Sequence, residues 1–288
     1  MSQQKILVTG ANGQLGMEFR ELAAKQKKYE FIFLSRDELP VDNVHLIQET
    51  FDRYRPDFCF NCAAYTAVDK AESEKEKAFA VNAAGVQNLA KACVHSNTRL
   101  VHFSTDYVFD GLSSVAYQET APTNPVSVYG LSKLKGEALS LLNDPSVIII
   151  RTAWVYSAYG HNFVKTMLRL MQERAEIKVV HDQIGSPTYA ADLAAATCQI
   201  IDIAWQPGIY HFTNSGTASW FEFACAIRDS SGSSCKVMPI KTSEYPTAAK
   251  RPPFSLLDTR KIREQYDLNI PHWKESLERC LIKLKITN

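Results

Sequence analysis

Short apolar runs alternate with amphipathic stretches through the first half of the chain. Residues 5–9, 31–34, 57–61, 99–104 and 146–151 are rich in Val, Ile, Leu and Phe. Such near-continuous apolar runs predict parallel strands covered on both faces. Between them, apolar positions recur at three- and four-residue spacing over 14–25, 43–54, 72–96 and 129–142, which predicts helices. Strand alternating with helix gives an α/β chain with a doubly wound parallel sheet.

Beyond Arg151 the rhythm loosens. Helical patterns cover 159–174, 190–203 and 219–229, a strand pattern covers 208–212, and the Ser-, Pro- and Lys-rich stretch 230–253 predicts irregular chain before an amphipathic closing helix over 272–285. The expected organisation is therefore a sheet domain made of 1–152 plus parts of 190–212. A smaller mixed α/β lobe, mainly 153–189 and 213–288, accompanies it.

Composition narrows the function. With 288 residues, 45% of them hydrophobic and 22% charged, the chain can bury a substantial core. Its 32 basic and 31 acidic residues leave a net charge of +1, no footprint for nucleic acid or an anionic membrane. No apolar run reaches the length of a membrane span, and the strand pattern begins at once, without room for a signal peptide, so a cytoplasmic protein is expected. The seven cysteines form no disulfide framework. Cys59 and Cys62 have metal- or redox-type spacing, but residues three apart on a strand face opposite ways, which favours two buried thiols. No second pair completes a zinc site, and no metal is expected.

Three motifs carry chemistry. The segment "VTGANGQLG", with Gly10, Gly13 and Gly16, closes the first strand and opens the first helix, where a tight glycine turn and unpaired helix N–H groups receive a diphosphate. Arg36, after the second strand, suits the 2′-phosphate of NADPH, although Asp37 and Glu38 beside it keep NADH open. In "NPVSVYGLSKLKGE", Tyr129 and Lys133 lie four residues apart and share a helix face, the arrangement of a phenol acid/base with an ammonium that lowers its pKa. The strand end "FSTDY" offers Ser104 and Thr105 as the accompanying hydroxyl.

On these residues the chain resembles the extended short-chain dehydrogenase/reductases, with their Rossmann-type fold. Within them it is similar to the dTDP-4-dehydrorhamnose reductase family. The specific pieces are "AAYTAVDKAE", "STDYVFDG", "RTAWVY", "DQIGSPTY" and "RPPFSLLD", spread over nearly the whole chain. The resemblance implies an oxidoreductase that reduces the C4 keto group of a dTDP-linked sugar with NADPH, or with NADH. Tyr129 would donate the proton, Lys133 would bind the nicotinamide ribose, and Thr105 would hydrogen-bond the reacting oxygen. Gly13, Gln14 and Leu15 would meet the diphosphate, with Ala63, Ala64 and Tyr65 lining the cofactor.

Ser104, Asp106, Trp154 and Arg251 would reach the substrate. For Trp154 an ordinary core aromatic is the alternative, and for Arg251 a solvated loop charge. Two departures stand out: Leu39-Pro40-Val41 lacks the acid the family often carries there, and Ala191 replaces one glutamate of a magnesium site at a dimer interface, although Glu18 matches another. A homodimer is compatible with the resemblance.

Two other functions fit parts of the pattern. A nucleotide-sugar epimerase or dehydratase shares the Tyr-Lys pair, but dehydratases place Glu after Thr-Asp, where this chain has Tyr107. A non-catalytic regulatory subunit, resembling that of methionine adenosyltransferase, would keep the cofactor without turnover.

Overall fold

A computed structural model describes residues 3–287. In chain order the first part runs β1 (Gln4–Thr9), α1 (Gln14–Lys25), β2 (Tyr29–Leu34), α2 (Val44–Tyr54), β3 (Phe58–Asn61), α3 (Val68–Ala71), α4 (Lys75–Phe79), a π-helical turn (Ala80–Ala84), α5 (Gly85–His95), β4 (Arg99–Thr105), α6 (Val128–Asn143) and β5 (Ile148–Thr152). There follow β6 (Val155–Tyr156), α7 (Phe163–Glu173), β7 (Glu176–Val180), β8 (Ile184–Gly185), β9 (Thr188–Tyr189), α8 (Ala190–Ile203), β10 (Gly208–His211), β11 (Ala218–Ser219), α9 (Trp220–Ser231), β12 (Lys236–Ile240), α10 (Arg260–Tyr266) and α11 (Trp273–Thr287).

Six parallel strands form the central sheet in the order β2-β1-β3-β4-β5-β10. The chain reverses its direction of winding between β1 and β3, and the crevice at the C-terminal ends of those strands is where such sheets take ligands. Alternation along each strand feeds two cores. Ile6, Val8, Phe60 and Val101 pack with Phe19 of α1 and Leu193 of α8, whereas Leu7, Cys59 and Leu100 pack with Phe51 of α2 and Leu89 of α5. Cys59 and Cys62 accordingly join opposite faces of the sheet, and all seven thiols are free. A third core holds Tyr156, Val164, Phe223, Val237 and Leu277. Among the described residues no helix is long and apolar enough to cross a membrane.

The structure corrects three expectations and adds one element. The helix over 72–96 is broken into α4, the π turn and α5. At the turn the Asn82 side chain faces inward: its amide accepts from Tyr65 N–H at 2.8 Å and donates to Tyr65 O at 3.0 Å and Ser132 Oγ at 3.0 Å. The helix expected from 159 begins at Phe163, because Asn162 caps it by accepting from Lys165 N–H at 3.1 Å. The stretch 230–253 contains β12, paired in parallel with β7; Pro239 and the flanking polar residues hide it from pattern reading. The short helix α10 places Ile262 and Tyr266, with Leu268 and Ile270, in the core of the sheet rather than in that of the second lobe.

Candidate active site

The turn between β1 and α1 has the shape its glycines suggest. Gly10 has φ +61°, and a Cβ there would stand 2.7 Å from Cys62 O and Ala63 N, so no other residue fits between the two strand ends. Gly13 N–H donates to Gly10 O at 2.9 Å. No side chain caps α1, which leaves its first N–H groups directed at the crevice. A cleft of about 340 Å³ opens there, lined by Gly10, Gly13, Arg36, Ala63, Ala64 and Tyr65.

At the other expected positions of α1 the side chains are engaged away from the cleft. The side chain of Gln14 accepts from Asn162 Nδ2 at 2.9 Å, Leu15 packs on the sheet core, and Gly16 is buried against Ala11. Only the backbone at these positions can serve an anion. Asp42 lines the cleft beside Val41, so an acid is present just beyond the position where the family pattern has one.

The Tyr129–Lys133 helix is fixed at its start. Ser127 Oγ accepts from Gly130 N–H at 3.2 Å, and Glu72 Oε1 accepts from Val128 N–H at 2.9 Å. Lys133 is buried and donates from Nζ to Phe103 O at 2.6 Å. Burial brings its pKa down to about 8, against an opposing attraction from Glu137. The Tyr129 phenol stands higher than its ordinary value, at about 12, because burial outweighs the hydrogen bond with Thr105 that pulls it down. This corrects the expectation of a phenol lowered by Lys133: without a ligand Tyr129 is a fully protonated donor.

Ser104 and Thr105 divide as strand neighbours must. Thr105 Oγ1 donates to Asp106 Oδ1 at 3.0 Å and joins Tyr129. Ser104 turns to the other face and donates to the buried Glu137 carboxylate, so the structure does not bring it to the substrate side. Asp106 is buried beside Ser255, and burial raises its carboxyl to about 6 despite hydrogen bonds from Ser255 and Thr105. The Tyr107 ring meets that of Tyr129 edge-on at 5.5 Å.

Trp154 has a left-handed backbone, φ +49°, which is unusual for a bulky residue. Its indole stacks on Trp220 at 3.7 Å and 11°, and its edge sits over Gly185, near Ser255. Trp154 thus flanks the Asp106 side of the crevice. Arg251 reaches the neighbourhood of Tyr107 but is held by Asp69, with Nη1 and Nη2 at 3.1 and 2.8 Å from its carboxylate oxygens.

Comparison with known proteins agrees with this geometry. A family model described as the RmlD substrate binding domain matches residues 4–286. The dTDP-4-dehydrorhamnose reductase of Aggregatibacter actinomycetemcomitans is 43% identical over 286 residues, covering 95% of this chain and 97% of that protein. The chain belongs to the dTDP-4-dehydrorhamnose reductase family. The spore coat polysaccharide biosynthesis protein SpsK of Bacillus subtilis is likewise 43% identical, over 96% of both chains. The crystal structure of the dTDP-4-dehydrorhamnose reductase of Bacillus anthracis in complex with NADP superposes with a TM-score of 0.94 at 40% identity, covering 98% of this chain and all of that one.

Within this reductase family the position of Glu18 is informative. Its carboxylate is buried, accepts from Ser157 Oγ at 2.6 Å, and is paired at 2.7 Å with Lys283 Nζ, which also stands 2.9 Å from Glu21. An ammonium from α11 therefore lies between two carboxylates of α1. Sequence reading also passed over Asn82, Ser255, Trp220 and the Glu137–Arg151 pair. Only Glu137 carried a local signal, one helical turn beyond Lys133.

Proposed function

We propose that the chain reduces the C4 keto group of dTDP-4-dehydro-L-rhamnose, with Tyr129 giving the proton and Thr105 and Lys133 acting on the same centre. The observation that carries this reading is the pairing of the Tyr129 phenol with the Thr105 hydroxyl at the C-terminal edge of a parallel sheet, with Lys133 one turn further along the same helix, beside a cleft walled by an uncapped helix N-terminus. The cleft suits a dinucleotide: the α1 N–H groups would take the diphosphate, and Arg36 and Asp42 the adenosine ribose end. Arg36 favours NADPH, and Asp42 keeps NADH admissible. Residues 1–152 with parts of 190–212 would hold the cofactor, and 153–189 with 213–288 would supply most of the substrate contacts.

NADPH, when bound, supplies the hydride to the carbonyl carbon. The chain's own groups handle the oxygen. Thr105 donates a hydrogen bond to it, and Tyr129 transfers its proton as negative charge develops there, which a phenol with a raised pKa holds ready at neutral pH. Lys133 stabilises the phenolate left behind. Asp106 is placed to accept from a sugar hydroxyl, and Trp154, backed by Trp220, offers the hexose an apolar wall. Arg251, free to exchange Asp69 for a phosphate oxygen, would meet the sugar diphosphate.

The test is loss of nicotinamide absorbance when protein, NADPH and enzymatically generated dTDP-4-dehydro-L-rhamnose are mixed. Oxidation in proportion to sugar is expected, with Tyr129→Phe lowering kcat by roughly 10²–10⁴-fold and leaving cofactor affinity nearly unchanged. Full turnover by Tyr129→Phe would sink the assigned proton donor.

A further inference from the structure

Behind the Tyr-Lys pair lies a buried ion pair that no part of the proposed chemistry uses. Glu137 follows Lys133 by four residues on α6, so both side chains leave the same face of the helix. Both are 2% exposed. The Glu137 carboxylate is saturated from three directions: Arg151 of β5 donates from Nε at 3.0 Å and from Nη2 at 2.7 Å, and Ser104 of β4 donates from Oγ. Arg151 is itself pinned, with its guanidinium over the Phe109 ring at 5.2 Å. Two parallel strands thus hold one carboxylate of the catalytic helix by hydrogen bonds from Ser104 and Arg151.

A buried ion pair of this kind adds little to stability, because desolvation cancels most of its attraction. Its placement says more. We propose that Glu137, clamped by Arg151 and Ser104, is a positioning residue whose fixed negative charge keeps the Lys133 ammonium protonated and oriented during turnover. The inference rests on Lys133 acting in the reaction as proposed above.

The surroundings of Lys133 leave this task to Glu137. From the end of β3 the Cys62 thiol faces it, and burial holds that thiol well above its ordinary pKa, so it is neutral. From β4 His102 faces it, and burial keeps that imidazole well below its ordinary pKa, also neutral. On its own helix Tyr129 is a protonated phenol. The hydrogen bond to Phe103 O orients Nζ but supplies no charge. Arg151 is engaged by Glu137, and its Nη1 reaches Glu119 O at 3.5 Å. With Lys133 already brought down to about 8 by burial, loss of the Glu137 charge would discharge it within the working range.

The experiment replaces charge by neutral hydrogen-bonding groups of similar size, in Glu137→Gln/Arg151→Gln, so that no lone buried charge remains. Lysine labelled with carbon-13 at Cε reports the ionisation of Lys133 directly, its resonance being assigned by its loss in Lys133→Arg. The Lys133 midpoint should fall in the double variant by up to about one pH unit, because the Glu137 charge acts on Lys133 more strongly than the Arg151 charge removed with it. The alkaline limb of kcat should move with it, leaving kcat at pH 6 within twofold of the parent and up to about fivefold lower at pH 8. Glu137→Asp keeps the charge but withdraws it by one methylene, and should shift both readings in the same direction by less. If the double variant does not fold, Glu137→Asp decides the matter alone.

A Lys133 midpoint that stays in place in the folded variants overturns the inference, as does a midpoint that moves while the limb of kcat does not. A uniform loss of kcat at all pH values would mark Glu137 as merely structural and overturn it too. Absence of turnover in the parent would instead sink the reductase reading, and the Lys133 midpoint would still decide the electrostatic claim.

Discussion

Asp106 is 2% exposed, and its Oδ2 has no hydrogen-bond partner among the described residues. A carboxyl so placed prefers its proton, and its pKa rises from 3.8 to about 6. The native state therefore binds this proton more tightly than the unfolded chain does. The resulting penalty is absent below about pH 4 and fully developed above about pH 6. Asp106→Asn is expected to raise stability above pH 7 by on the order of 2 kcal/mol, a gain that vanishes toward pH 4 in thermal melts. The same variant should raise KM for the sugar, since an unpaired carboxylate oxygen beside Thr105 and Tyr129 is the group lost. Residue identity announced some of this site. The Tyr129–Lys133 spacing is local, and the helix turns it directly into a shared face. For Ser104 and Thr105 the period of a strand guarantees opposite faces, but which of the two meets Tyr129 depends on how β4 lies against α6. The left-handed backbone of Trp154 had no signal, because the strain is offset by its stack on Trp220, a contact between segments far apart in the chain.

Among the elements, α6 is where position matters most. It packs against the π turn so closely that a Cβ on Gly136 would stand 2.0 Å from Asn82 O. The two helices meet backbone to backbone, and the Asn82 amide stitches the cleft-lining segment at Tyr65 to Ser132, the neighbour of Lys133. Gly136→Ala must push α6 away. A loss of about 1–3 kcal/mol is expected, measured by urea denaturation, together with a fall in kcat because Tyr129 and Lys133 ride on the displaced helix. Unchanged stability would mean that the helix pair has slack. The π turn itself was illegible in the alanine-rich pattern over 72–96. A π turn differs from an α-helix by one inserted residue, and what stabilises it is the set of hydrogen bonds Asn82 makes with other segments.

Across the whole molecule, the last helix and the segment before α7 are joined to α1. Lys283 of α11 reaches Glu18 and Glu21 of α1, while Tyr159 hydrogen-bonds Glu21 and Asn162 holds Gln14. Lys283→Met would leave the buried Glu18 carboxylate without its cation, and a loss of about 3 kcal/mol in thermal or urea unfolding is expected. Because the ammonium already lies between those carboxylates, added magnesium or a chelator should change neither the melting temperature nor kcat of the parent; a clear magnesium-dependent rise would contradict this. By itself the sequence determined the alternation of strand and helix, the glycine turn at the first strand end and the Tyr-Lys face, since each is set by chemistry within a few residues. Tertiary structure decided which strand face each hydroxyl serves, where β12 and α10 join the cores, and how Arg151 and Glu137 meet beneath Lys133. Those pairings link residues far apart in sequence, and burial, which fixes their charge and partners, exists only once the chain has folded.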